Sequence, residues 1–246
     1  MQCPKCQQAC PPHSLECPHC GIIFAKYRLF MERQASSGVE HAEDSRWRRM
    51  WRCLLTPPPA RAGFWHGRAL LWALFVLWGG SYLLRDIDSL ANSPGFLHNV
   101  DLVFHEAGHV LFGFFGKFIG SLGGTLGQLL MPVVCAVALL RHNRDTFAAS
   151  LCLWWTGQNL LDIAPYMADA RAGQLPLLGG NFGHSSPYGF HDWEYLLGET
   201  GLLAYDQGLA RACLYLGRLV MFASLLWGAY LLWKGRPGNG NQQPEA

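Results

Sequence analysis

Charged residues are scarce in this chain: Asp, Glu, Lys and Arg make up 15% of its 246 residues, and 50% of the residues are hydrophobic. Soluble domains usually carry about 25% charged residues. The composition therefore argues against an ordinary soluble surface. The net charge of +2 at pH 7 indicates no particular partner, and no nucleic-acid partner is expected.

No cleavable signal peptide is expected, because the N-terminus is polar and rich in Cys and Pro rather than apolar. The sequence shows no internal repeat. Basic residues cluster ahead of the first apolar run, and by the positive-inside rule they place the N-terminus in the cytoplasm. These residues are Arg46, Arg48, Arg49, Arg52 and Arg61.

Long uncharged runs are what the chain does contain. Residues 118–140 carry no charge over 23 residues, which suffices to cross a bilayer core of about 30 Å. Further runs cover residues 69–84, 146–161 and 212–233, and residues 101–116 are nearly as apolar. The sequence therefore predicts an integral membrane protein in contact with lipid, folded as an all-α polytopic membrane bundle of four to five membrane helices.

Composition divides the chain into four segments. They are a Cys-rich head at 1–28, a basic, Pro-containing linker at 29–62, the membrane domain at 63–233 and a Gly/Asn/Gln/Pro tail at 234–246. The tail lacks apolar residues to bury and is expected to be disordered.

The head contains two C-x-x-C knuckles, CPKC at 3–6 and CPHC at 17–20. Each knuckle aims two thiolates at one point, so the pair predicts a tetrahedral site for a structural Zn²⁺. Metal binding would supply the folding energy of a head too small for a core. A disulfide or redox pair is the alternative, and a reducing cytoplasm disfavours it. The predicted zinc ligands are Cys3, Cys6, Cys17 and Cys20.

The stretch CPHCGIIFAKYR resembles a short zinc-ribbon module found ahead of membrane domains. The resemblance covers residues 1–28. It implies that the head either binds a protein partner or only stabilises itself.

The stretch DLVFHEAGHVLFGFFG at 101–116 places two histidines and a glutamate in an apolar segment. On a helix, His105 and His109 lie one turn apart and about 40° apart around the axis, so both rings can reach one metal ion. Glu106 can then take a proton from water in metal-assisted hydrolysis. Without partners these side chains would be strongly unfavourable in hydrocarbon. The alternative to a metal is a buried hydrogen-bond network.

A third protein ligand is needed if one position is to stay open for water. Asp162 in GQNLLDIAPY is preferred, because it follows an apolar run and Pro165 is expected to break the helix beside it. Alternatively, Asp162 only ends a helix near the membrane interface. His191 and Asp192 are the second choice as ligands. The residues considered for substrate binding or for supporting the ligands are Asn159, Gln128, His191 and Asp192.

The motif HEAGH in an apolar helix, the Gly-rich span after it and the later Leu-Asp at 161–162 resemble the site-2 protease family of intramembrane zinc metallopeptidases. The chain departs from that family, since Ile163 replaces a Gly and no PDZ-like insert is present. The resemblance is therefore that of a divergent relative. The zinc ligands that it implies are His105, His109 and Asp162, with Glu106 as the catalytic base.

Two functions follow as hypotheses. The first is a membrane zinc metallopeptidase that uses one zinc ion in the head and one in the membrane site, and cleaves a membrane protein or peptide in or near the bilayer. The second is a non-catalytic membrane protein whose metal site is structural or sensory, with the head as an interaction module. Glu106 separates them, because a purely structural site has no use for an acid beside its first ligand.

Overall fold

The computed structural model describes residues 1–12, 14–40, 46–58, 62–178, 182 and 191–237. The chain divides into two compact units, Met1–Arg52 and Cys53–Ala246. Most of the expected C-terminal tail lies outside the described residues.

The first unit opens with two knuckles that share one backbone design. Cys3 N donates to Gln8 O and Cys17 N donates to Ile22 O, each closing a short antiparallel bridge. The residue after the second cysteine of each knuckle, Gln7 or Gly21, has a positive φ of 59° or 69°, which turns the chain back over the thiols. Helix α1 follows, at Phe24–Glu40.

The helices of the described chain continue with α2 at Arg46–Leu55, α3 at Ala62–Leu83, α4 at Ile87–Asn92, α5 at Phe96–Phe112, α6 at Lys117–Ala138, α7 at Thr146–Ala168, α8 at Asp192–Glu199 and α9 at Asp206–Lys234. A short π-helix at Leu139–Asn143 extends α6. Apart from isolated β-bridges, the described residues form no strand pairing. The all-helical class that the sequence predicts is therefore confirmed.

Helix α7 is the centre of the second unit and packs against α9, α6, α4 and α3. Asp145 caps its first turn by accepting a hydrogen bond from the Ala148 N–H, 2.9 Å away. Trp154, Leu161 and Met221 are among the most deeply buried apolar side chains of the core between these helices. Helix α7 runs through Pro165 to Ala168, so the expected break beside Asp162 is not present.

Helices α5 and α6 approach each other closely because glycines line both. A Cβ added at Gly108 would collide with the carbonyl oxygen of Gly123, and one at Gly127 would collide with the oxygen of Phe104. Small residues in such a stripe let two helix backbones come near each other. The close approach brings the Gln128 side chain and the Gly120 carbonyl oxygen of α6 within hydrogen-bond distance of the histidines on α5.

Two helical segments in the described part of the chain, Lys117–Asn143 and Leu203–Lys234, are long and apolar enough to cross a membrane. The sequence predicts four to five. Helix α5 has 17 residues and carries Asp101, His105, Glu106 and His109; at 1.5 Å per residue it is about 25 Å long, shorter than a bilayer core. Membrane crossing itself stays a prediction for all of these helices.

Candidate metal centres

The four predicted thiol ligands of the head converge on one point. The Sγ atoms of Cys3, Cys6, Cys17 and Cys20 lie within 4.8 Å of one another. Cys3 is 3.7 Å from Cys20 and Cys6 is 3.6 Å from Cys17. Burial by itself raises the pKa of Cys17, but the backbone N–H groups of Cys20 and His19 lower it to about 6. The cluster can hold a metal ion, as the spacing predicts.

A second group of ligand atoms joins α5 to α8. His105 Nε2 lies 3.3 Å from Asp192 Oδ2, and His109 Nε2 lies 3.2 Å from the same oxygen. The centroids of the two imidazole rings are 4.7 Å apart. The three side chains are 21–27% exposed, so none of them is fully buried. These three atoms could also hold a metal ion.

The other nitrogen of each ring is held by a hydrogen-bond acceptor. His105 Nδ1 donates to Gln128 Oε1 at 2.7 Å, and His109 Nδ1 donates to the Gly120 carbonyl oxygen at 2.8 Å. Partners of this kind fix the tautomer and orientation of metal-binding histidines. Nε2 of each ring therefore faces Asp192: it donates a hydrogen bond to the carboxylate when the ring carries a second proton, and offers a lone pair to a metal ion when the ring is neutral.

Gln128 is itself held in place by the next helix. Its Nε2 donates to Asn159 Oδ1 at 3.2 Å, and Asn159 Nδ2 donates to the Trp155 carbonyl oxygen at 3.1 Å. Gln128 and Asn159 are 3% and 0% exposed. Two buried amides therefore link α7 through α6 to His105. Both residues, Asn159 and Gln128, are among the supporting groups that the sequence analysis proposes.

Asp192 reaches the histidines because it is the first residue of α8. His191 caps that helix, with its Nδ1 accepting from the Glu194 N–H at 3.4 Å, and Ser121 on α6 donates to Asp192 Oδ1 at 2.7 Å. Burial alone would raise the pKa of Asp192, but hydrogen bonds from His105, His109 and Ser121 outweigh it and hold the pKa well below its usual range. Asp192 is thus an anion whose Oδ2 faces both rings.

Asp162 occupies a different position from the one that the sequence analysis prefers. Its Oδ1 accepts a hydrogen bond from His98 Nδ1 at 2.9 Å, and the group of ligand atoms around His105 and His109 contains Asp192 instead. Asp162 and His98 face each other across α7 and α5, two helical turns from His105. The second-choice residue Asp192 therefore replaces Asp162 as the third candidate ligand, while His191 acts as the cap of α8.

Glu106 follows His105 on α5 and is half-buried. Its charge is close enough to act on His109, although Glu106 does not belong to the group of convergent ligand atoms. Glu106 therefore lies next to the first histidine of the group without belonging to the group itself.

Gly124 on α6 forms the wall behind the two histidines. A Cβ at this position would lie 2.5 Å from His105 Nε2 and 2.6 Å from His109 Nε2, in the space where a bound ion would meet the rings. We expect Gly124→Ala to weaken metal binding at this site at least as much as loss of a supporting residue does, about 10- to 100-fold.

Metal affinity of the purified chain, titrated with Zn²⁺ after the head has been saturated, measures this effect. Gly80→Ala is the matched control, because Gly80 lies inside α3 with no atom within 4 Å of an added Cβ. Equal affinities for the two variants would show that no ion binds between the rings.

No protein-family model, curated protein or solved structure matches this chain.

Proposed function

We propose that the chain is a membrane-embedded zinc metallopeptidase that hydrolyses peptide bonds in or near the bilayer. One observation carries the proposal: His105 Nε2 and His109 Nε2 lie 3.3 and 3.2 Å from the same oxygen, Oδ2 of Asp192. Three electron-pair donors repel one another unless a cation lies between them or a ring takes up a second proton. Glu106, the residue after the first ligand, would supply the general base that hydrolysis at a metal site needs.

The ligand set suits zinc. Two imidazoles and one carboxylate form a common set for catalytic zinc, with the fourth position open. When bound, zinc polarises the peptide carbonyl and acidifies water. The four thiols of the head, in turn, suit a structural zinc ion, and the head can recruit a substrate or a partner.

The residues of the chain supply the remaining chemistry. Glu106 takes a proton from the attacking water and delivers it to the leaving amine. Gln128 and the Gly120 carbonyl hold the rings of His105 and His109 in place through Nδ1, and Ser121 does the same for Asp192. The similarity of HEAGH to the site-2 protease motif supports this assignment of roles.

The site is proposed to lie within a membrane that α6 and α9 span, with the N-terminus in the cytoplasm. Exposed apolar side chains on both helices, among them Val133 and Val134 on α6 and Leu219 and Phe222 on α9, would then contact lipid.

The proposal is tested by incubating the full-length chain, in bilayer nanodiscs, with a panel of apolar helical peptides. Mass spectrometry of the products should show cleavage that stops when a chelator removes zinc and returns when zinc is restored. Cleavage that survives chelation would contradict the mechanism, and absence of cleavage across the panel would favour the non-catalytic alternative.

A further inference from the structure

A cavity of about 580 Å³ lies on the side of the second unit formed by α4, the first half of α5 and the last half of α7. The chain segment 174–178 also contributes to its wall. Cavities of roughly 300–1,000 Å³ are typical of small-molecule sites. His98 lines this cavity and is two turns from His105 along α5, or about 10 Å. The cavity is therefore separate from the candidate metal centre.

The charged group in the cavity is the carboxylate of Asp162. Its Oδ1 is bound to His98, and its Oδ2 has no hydrogen bond to any described residue. The ring of Tyr166 stacks on that of His98, with the ring centroids 6.0 Å apart and an angle of 8° between the ring planes. His98 is thus held between an acid and an aromatic ring, and Asp162 presents one free oxygen.

Gln158 lies one turn before Asp162 on the same face of α7 and also lines the cavity. It is 1% exposed, and its side chain is hydrogen-bonded to Asp101 on α5. Gln158 is therefore part of the wall, and the acceptor that a ligand would meet is Oδ2 of Asp162.

The remaining wall determines the ligand class. The described residues that line the cavity include no Lys or Arg, and most of them are apolar, among them Leu102, Pro165 and Leu175. We propose that this cavity binds a primary ammonium group carried on a short apolar chain. An ammonium group has three N–H donors and no acceptor, which matches the free carboxylate oxygen of Asp162.

The proposal concerns a site that neither metal centre uses, and it does not depend on peptidase activity. A variant that blocks hydrolysis, Glu106→Gln, should therefore bind the amine as the unchanged chain does.

The test uses a short alkylamine that carries a photoactivatable diazirine, with the alcohol of the same chain length as the neutral probe. Full-length protein in nanodiscs is irradiated with each probe, and the labelled residues are mapped by mass spectrometry. We expect the amine to label residues of the cavity wall. Asp162→Asn should reduce that labelling about tenfold or more, since a charge-assisted hydrogen bond is lost.

Asp88→Asn is the matched control, because Asp88 is an exposed carboxylate on the neighbouring α4 and does not line the cavity. Leu102→Trp is a second variant that fills the cavity and leaves Asp162 in place, and it should also abolish labelling. Equal labelling by the alcohol, or undiminished labelling of Asp162→Asn, would overturn the proposal. If Asp162→Asn does not fold, retained labelling of Leu102→Trp would overturn it.

Discussion

Replacing Glu106 by glutamine is expected to lower the rate of peptide hydrolysis about 10²- to 10⁴-fold, the usual contribution of a general base, while both metal sites stay filled. Glutamine keeps the size of the side chain but cannot accept a proton from water. Metal binding should not change, because Glu106 lies outside the group formed by His105, His109 and Asp192.

The measurement pairs initial rates, on a peptide that the unchanged chain cleaves, with zinc per chain by elemental analysis. Glu199→Gln is the matched control, since Glu199 is an exposed carboxylate at the end of α8. A Glu106→Gln chain that cleaves at the unchanged rate would rule out the proposed mechanism. A chain that loses zinc would show that Glu106 is a ligand and not the base.

Replacing Asp192 by alanine should remove the zinc ion of the second unit and leave that of the head. With two candidate sites, the unchanged chain should bind two zinc ions and the variant one. The loss follows because two histidines alone provide too few ligands for a stable zinc site. The four thiols of the head serve as an internal standard within each sample. Hydrolysis should be lost together with the metal.

Asp162→Ala provides the contrast. Because Asp162 binds His98 and not the two histidines of the metal site, this variant should retain two zinc ions per chain. Retention of zinc in Asp192→Ala together with loss in Asp162→Ala would instead support the ligand set that the resemblance to the site-2 proteases implies. The two variants therefore distinguish the ligand set of the structure, with Asp192, from the ligand set that the resemblance implies, with Asp162.

The convergence of the head thiols could be predicted from the sequence. Two residues separate the cysteines within each knuckle, and hydrogen bonds from Cys3 N to Gln8 O and from Cys17 N to Ile22 O close both turns in the same way. Geometry over so few residues depends on backbone sterics and local hydrogen bonds. The same reasoning places His105 and His109 one turn apart on α5, where the structure has them.

The supporting amides could be predicted from the sequence for a different reason. Gln128 and Asn159 are polar residues in apolar helices, and a buried amide needs a partner. That requirement indicates that they are bound to something, and the sequence places them among the candidate supporting groups. It does not indicate that Gln128 would hold His105 or that Asn159 would hold Gln128, because those contacts depend on how three helices pack.

The sequence by itself determined the elements whose geometry is local: helices from apolar runs, two knuckles from paired cysteines, and two imidazoles on one helical face. Only the tertiary structure decided the third ligand, since Asp192 is 87 residues from His105 along the chain and follows a segment without a helical pattern. Either carboxylate can bind zinc, and the sequence alone favours Asp162, which follows an apolar run. The glycine-lined contact between α5 and α6 and the docking of α8 on α6 bring Asp192, and not Asp162, to the histidines, because packing over long sequence separations sets which side chains meet.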